Sequence, residues 1–147
     1  MSLQERMWRE IPEETARIAR TIYPKGNLFM QIRDELGELF SDADFADLYP
    51  RKGQGGISPS LLASVLVMQS LADYSDRQAA EAVRDQISWK YALGLELDAP
   101  GFDYSVLSEF RQRLVEAGAH ERLFQPVLEK LAAKGLLKGR GKQRTDA

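Results

Sequence analysis

The chain has 147 residues and a mass of 16.6 kDa, a length that suits one domain and lets it bury a core without staples. It contains no cysteine and one histidine, His120. That excludes disulfides, thiolate zinc sites, cysteine nucleophiles and histidine-rich metal sites, and leaves no ready Ser-His-Asp triad. Hydrophobic residues make up 44% and charged residues 29%, a soluble globular balance. No apolar run reaches the ~18 residues of a membrane span, and the opening MSLQERMWREIPEE has no apolar signal segment, so the expected location is the cytoplasm.

The net charge of −2 is unevenly spread. Residues 134–147 carry Lys134, Lys138, Arg140, Lys142 and Arg144 against Asp146, or +4, whereas the other 133 residues carry 15 basic and 21 acidic side chains, or −6. Phosphate binding needs clustered Lys and Arg. Only the tail has that composition.

The pattern along the chain is helical throughout, with no alternating strand signal and no internal repeat. The first helix is expected over 12–22, with Pro12 at its first position and acids in its first turn. The second is expected over 27–40, capped by Asn27, with Leu28, Ile32, Leu36 and Leu39 on one face. Residues 41–57 are turn-rich: Asp42 to Asp47 suit a short helical turn before Pro50, and RKGQGG reads as a connector. Ser58-Pro59 is a cap followed by proline at the first helical position. The helix after it, 59–72, is apolar nearly all round and so belongs in the middle of a bundle. Ser75 and Gln78 form a capping box for SDRQAAEAVRD, with Ala79, Ala82 and Val83 facing inward. ISWKYAL (87–93) is a short helix ended by Gly94. Ser105 is expected to cap the next helix, whose stripe is Leu107, Phe110 and Leu114 and whose stop is Gly118. The last helix runs to about Lys134 and carries Leu123, Phe124, Val127, Leu128 and Leu131; Pro126 either starts its regular part or kinks it.

Gly53-Gln54-Gly55-Gly56 lacks the preceding strand and the following Lys-Ser/Thr of a phosphate loop, and reads as a linker. His120 has no partner ligands at useful spacing, so an exposed or capping role is expected. Asp42, Asp44 and Asp47 lack the glycine and distal glutamate of a calcium loop, and read as a solvated acidic turn. The pair SDRQAAEAVRD and ISWKYALG has the size of a helix-turn-helix, with Arg77, Arg84 and Lys90 available for phosphates. The same pattern describes an ordinary pair of bundle helices, and residues 74–113 hold five basic against seven acidic side chains. Arg111 lies at the edge of the Leu107/Phe110/Leu114 stripe, which suits an ion pair with Asp76 or Asp103. Arg113 points away from the stripe, toward a partner or DNA.

Taken in order, S-P-x-x-L (58–62), L-x-x-Y-S-D-R-Q-A-A-E-A-V-R (71–84), W-K-Y-A-L-G-L (89–95), F-D-Y-S-V-L-S-E-F-R-x-R-L (102–114) and G-L-L-K (135–138) resemble the N-terminal domain of bacterial insertion-sequence transposases of the DDE type, over roughly residues 20–147. The resemblance implies a helical domain that binds the element's terminal inverted repeats, followed by an RNase H-like core with three carboxylates and two divalent metal ions. GKQRTDA (141–147) resembles the join to that core, and Asp146 matches the first of the three carboxylates. The sequence departs from the family one residue later, with no second Asp or Glu to follow. Two-metal chemistry needs several carboxylates converging on the ions, so the chain as given is expected to be no enzyme and to hold no cofactor, Mg²⁺ being expected only in an intact transposase.

The expected fold is all-α, a compact bundle of about six or seven helices with a helix-turn-helix-like pair. Residues 1–135 form the DNA-binding domain and 136–147 a basic linker toward a catalytic core that the sequence does not contain. The expected partner is double-stranded DNA at the element's ends, contacted by Arg77, Arg84, Lys90, Arg113 and the tail residues Lys138, Arg140, Lys142 and Arg144. A homodimer or an intact transposase is a second partner, and no membrane is expected. The alternative is a protein–protein module that dimerises the transposase or, as a remnant without its own DNA specificity, titrates an intact copy. A free-standing helix-turn-helix regulator fits the helices but not the acidity of the middle of the chain.

Overall fold

A computed structural model describes residues 10–48 and 57–137. They form seven α-helices and one 3-10 helix, and no strand occurs among the described residues. The helices are α1 (Glu13–Ile22), α2 (Leu28–Leu36), the 3-10 helix Asp42–Leu48, α3 (Pro59–Ala72), α4 (Asp76–Asp85), α5 (Ile87–Leu93), α6 (Tyr104–Glu116) and α7 (His120–Ala133). The all-α bundle expected from the periodicity is the fold observed.

α3 is its centre. Ten of its 14 residues are buried, and it packs against α4, α5, α6 and the 3-10 helix, which is where a helix apolar on every side must go. Its start is doubly held. Ser58 Oγ accepts from the Leu61 amide, and Asp42 Oδ1 accepts from Ser58 Oγ at 2.6 Å and from the Ser60 amide at 3.0 Å. Asp42 is 3% exposed, so the solvated acidic turn expected at 42–47 is corrected at that residue: its carboxylate meets backbone and hydroxyl donors inside the protein. Phe45 is also fully buried. It stacks at a tilt on Phe40 and Phe110, and Phe40 in turn meets Phe124, so one aromatic chain joins the 3-10 helix to α6 and α7.

α2 stops at Leu36, four residues before the expected end, because Gly37 takes φ +71°, a conformation that glycine adopts without a steric cost. A second cluster of Ala19, Met30 and Tyr91 seats α1 on α2 and α5. Tyr91 donates to Asp34 Oδ1 at 2.6 Å, and Arg20 reaches both Tyr91 and Asp34. Pro126 lies inside α7 rather than at its start. Leu136 and Leu137, expected to begin the linker, pack against the core.

Candidate nucleic-acid interface

α4 begins with the expected capping box: the Gln78 amide donates to Ser75 Oγ at 3.1 Å and the Ser75 amide to Gln78 Oε1 at 2.9 Å. Ala79, Ala80, Ala82 and Val83 face the core, leaving Arg77, Gln78, Glu81, Arg84 and Asp85 exposed. The two arginines are seven residues apart, two turns or about 10.5 Å along one stripe, with Glu81 between them. The Arg77 guanidinium lies 4.3 Å over the ring of Tyr104, the first residue of α6. The α6 cap is Asp103 and not Ser105. Asp103 accepts from the Ser105 amide at 3.0 Å and from its hydroxyl at 2.6 Å, and these bonds, with Arg77 nearby, hold its carboxyl below the usual range.

Beneath this stripe, α4 is fixed to α3 and α6 by a polar cluster. Arg111 donates from Nη2 to Asp76 Oδ1 at 2.6 Å and from Nη1 to Oδ2 at 3.1 Å, while Ser108 and Gln69 also donate to the same carboxylate. Of the two partners that the spacing allowed for Arg111, Asp76 is the one used. The Arg111 guanidinium, helped by Gln69 and Ser108 and opposed by burial, holds the Asp76 carboxyl well below the usual range.

One of the expected contacts is corrected. Lys90 is 3% exposed, and its Nζ donates to the Ala99 carbonyl at 2.9 Å; a buried ammonium committed to a carbonyl does not present itself to a phosphate. Burial pushes its pKa down. The whole of α5 shares this position, with Ser88, Trp89, Lys90, Tyr91 and Leu93 buried against α1, α2, α3 and α4. A single residue, Gln86, serves as both the C-cap of α4 and the N-cap of α5. α5 is therefore a core helix and cannot lie in a major groove as a recognition helix does. Arg113 is exposed as expected, and its Nη1 donates to the Leu48 carbonyl at 3.2 Å. Lys138, Arg140, Lys142, Arg144, Asp146 and the Gly53–Gly56 stretch lie outside the described residues. His120 is exposed at the start of α7 and stacks on Phe124.

The described residues carry 12 basic and 20 acidic side chains, −8. Ion pairs engage Arg17, Arg20, Arg111, Arg122 and Lys134. Arg33 went unnoticed in the sequence because it sits in a polar stretch of α2, yet it is 5% exposed and donates to the Ala92 carbonyl. It lines a cavity of about 30 Å³ with Glu38, Ser60 and Ser64, room for a water or two and no more. No group of three or more His, Cys, Asp or Glu that could hold a metal ion occurs among the described residues. No described helix is long and apolar enough to cross a membrane.

Residues 18–113, well over half of the chain, match the family described as Transposase domain (DUF772). No curated protein and no solved structure matches the chain.

Proposed function

The chain belongs to the transposase domain family DUF772, and on that premise we propose that it is the DNA-recognition part of a transposase of the DDE type, acting on duplex DNA at the terminal inverted repeats. The observation that carries this reading is the α4 stripe, where Arg77 and Arg84 are exposed in one register and Arg77 is braced on Tyr104. A guanidinium seated on an aromatic face has fewer conformations to lose when it meets a phosphate. The body is acidic, so the sequence-independent attraction falls to Lys138, Arg140, Lys142 and Arg144. In this reading the strand-cutting chemistry belongs to a separate carboxylate core, with Asp146 at the join.

Fluorescence anisotropy over a salt series, with an inverted-repeat duplex and a random one, tests the proposal. Removing one cation that meets a phosphate lowers the slope of log K against log salt by about 0.9. Deleting residues 138–147 should lower it several times over and weaken both duplexes alike. Arg77→Ala and Arg84→Ala should each lower it by one such step if they touch phosphate, or narrow the gap between the duplexes by about 1–3 kcal/mol if they touch a base. A full-length chain with no salt-dependent binding even at low salt refutes the DNA reading. The second reading, a protein–protein module of the transposase, then takes its place; the −8 charge of the described body favours it.

A further inference from the structure

The loop between α5 and α6 is held from below at two buried points. Thr15, fully buried on α1, donates its hydroxyl hydrogen to the Leu95 carbonyl at 2.7 Å. Lys90, buried on α5, donates from Nζ to the Ala99 carbonyl at 2.9 Å. A buried charge is costly unless it is met by acceptors or opposite charge, and here Asp98 and Asp85 favour the ammonium while Arg84 opposes it. Past the second point Gly101 has φ +79°, and a Cβ built on it would lie 3.6 Å from Arg84 Cβ and 3.8 Å from the Ala80 carbonyl oxygen. The loop therefore runs directly along the flank of α4. Two residues further on, Asp103 caps α6 and Tyr104 lies under Arg77.

We propose that Lys90 is a positioning residue: by holding the 95–103 loop onto α5 it sets Tyr104 beneath Arg77, and with it the geometry of the Arg77/Arg84 stripe. This explains why a lysine occupies a core helix. A methionine has a similar length but leaves the Ala99 carbonyl without its donor and Asp98 without its counter-charge. The proposal rests on the DNA reading for its consequence, and the loop itself is readable without DNA.

The test uses Lys90→Met and Gly101→Ala in the full chain. Gly101 is half-buried outside the core, so Gly101→Ala strains the loop at its positive φ even if Lys90→Met fails to fold. In both variants amide exchange over 95–103 should speed up about tenfold while α3 stays protected. The Arg77 side-chain protons should lose the upfield shift they owe to the Tyr104 ring. Lys90→Arg, which restores charge and donor, should recover part of both signals. DNA affinity should fall about three- to tenfold through weaker preorganisation, with the salt slope unchanged. Loop protection and Arg77 shifts that stay at wild-type values in a folded Lys90→Met overturn the proposal, as does an unmoved Arg77 shift in Gly101→Ala with a loosened loop. So does a salt slope lowered in Lys90→Met by about 0.9, the mark of a direct phosphate contact. Loss of both signals in a chain that binds no DNA at any salt upholds the positioning role and refutes the DNA reading alone.

Discussion

Replacing Asp76 with alanine removes the acceptor at the junction of α3, α4 and α6. Its carboxylate receives four hydrogen bonds, two from Arg111 and one each from Ser108 and Gln69. A hydrogen bond to a charged group is worth about 1.5–3 kcal/mol net, but the four do not add. The Arg111 side chain is 37% exposed and can turn to water, which brings its share toward that of a surface pair, and Gln69 keeps its bond to the Tyr74 carbonyl. The expected loss for Asp76→Ala is about 2–4 kcal/mol, a large part of a domain stability of about 5–15 kcal/mol. Urea unfolding followed by circular dichroism at neutral pH measures it, and a loss below about 1 kcal/mol refutes the cluster as a structural lock. The pH dependence is a second check. Because the folded carboxyl is held below its unfolded value, the stabilisation is complete above about pH 4 and is lost as pH falls from there through the folded value. The stability gap between wild type and Asp76→Asn should narrow in acid. A gap as large near pH ~2.5 as at neutrality contradicts the assignment.

Leu66→Ala and Leu62→Ala, both in the buried row of α3, should each cost about 2–5 kcal/mol in a denaturant titration; losses under about 1 kcal/mol in both remove α3 from the centre of the core. Ser75→Ala should cost about 1 kcal/mol by opening the capping box of α4, whereas Ser75→Asp, which keeps an acceptor at the N-terminus of the helix, should stay close to wild type. Equal melting of all three proteins refutes the cap's contribution.

The helices were legible where local chemistry decides them. Ser58-Pro59, the Ser75/Gln78 box and Gly94 mark their ends within a few residues, and each lies where the spacing put it. The misplacements share one cause. Leu39 and Phe40 continue the apolar pattern of α2 and still face the core after the helix has stopped at Gly37, because burial depends on where a side chain lands and not on helical continuity. Asp103 precedes Ser105 as the cap of α6 by two residues, and both are good capping types, so composition alone cannot rank them. Asp42 read as solvated because its partners, Ser58 and Ser60, stand 16 and 18 residues further along the chain, beyond the reach of any local pattern.

The site was less legible, because helical spacing assigns a cation to a face but does not say what covers that face. Arg111 lies at the edge of an apolar stripe, and its ion pair follows from that. Lys90 carries the same charge on a seven-residue helix and is buried, since α5 is covered by four neighbours that no local pattern announces. With Lys90 buried, the proposed interface keeps Arg77, Arg84 and the exposed Arg113 on the described body. Three phosphate contacts give a salt slope of about 2.7, against six to ten contacts in proteins whose affinity is dominated by the backbone. If the DNA reading holds, the helical body with its −8 charge supplies register and orientation, and the attraction resides in the cations at 138–144. Orientation and attraction are then separable by mutation: tail deletion should weaken binding to every duplex alike, whereas stripe variants with the tail intact should still bind DNA, with a salt slope lower by about 0.9 where the arginine meets phosphate or a smaller gap between inverted-repeat and random duplexes where it meets a base.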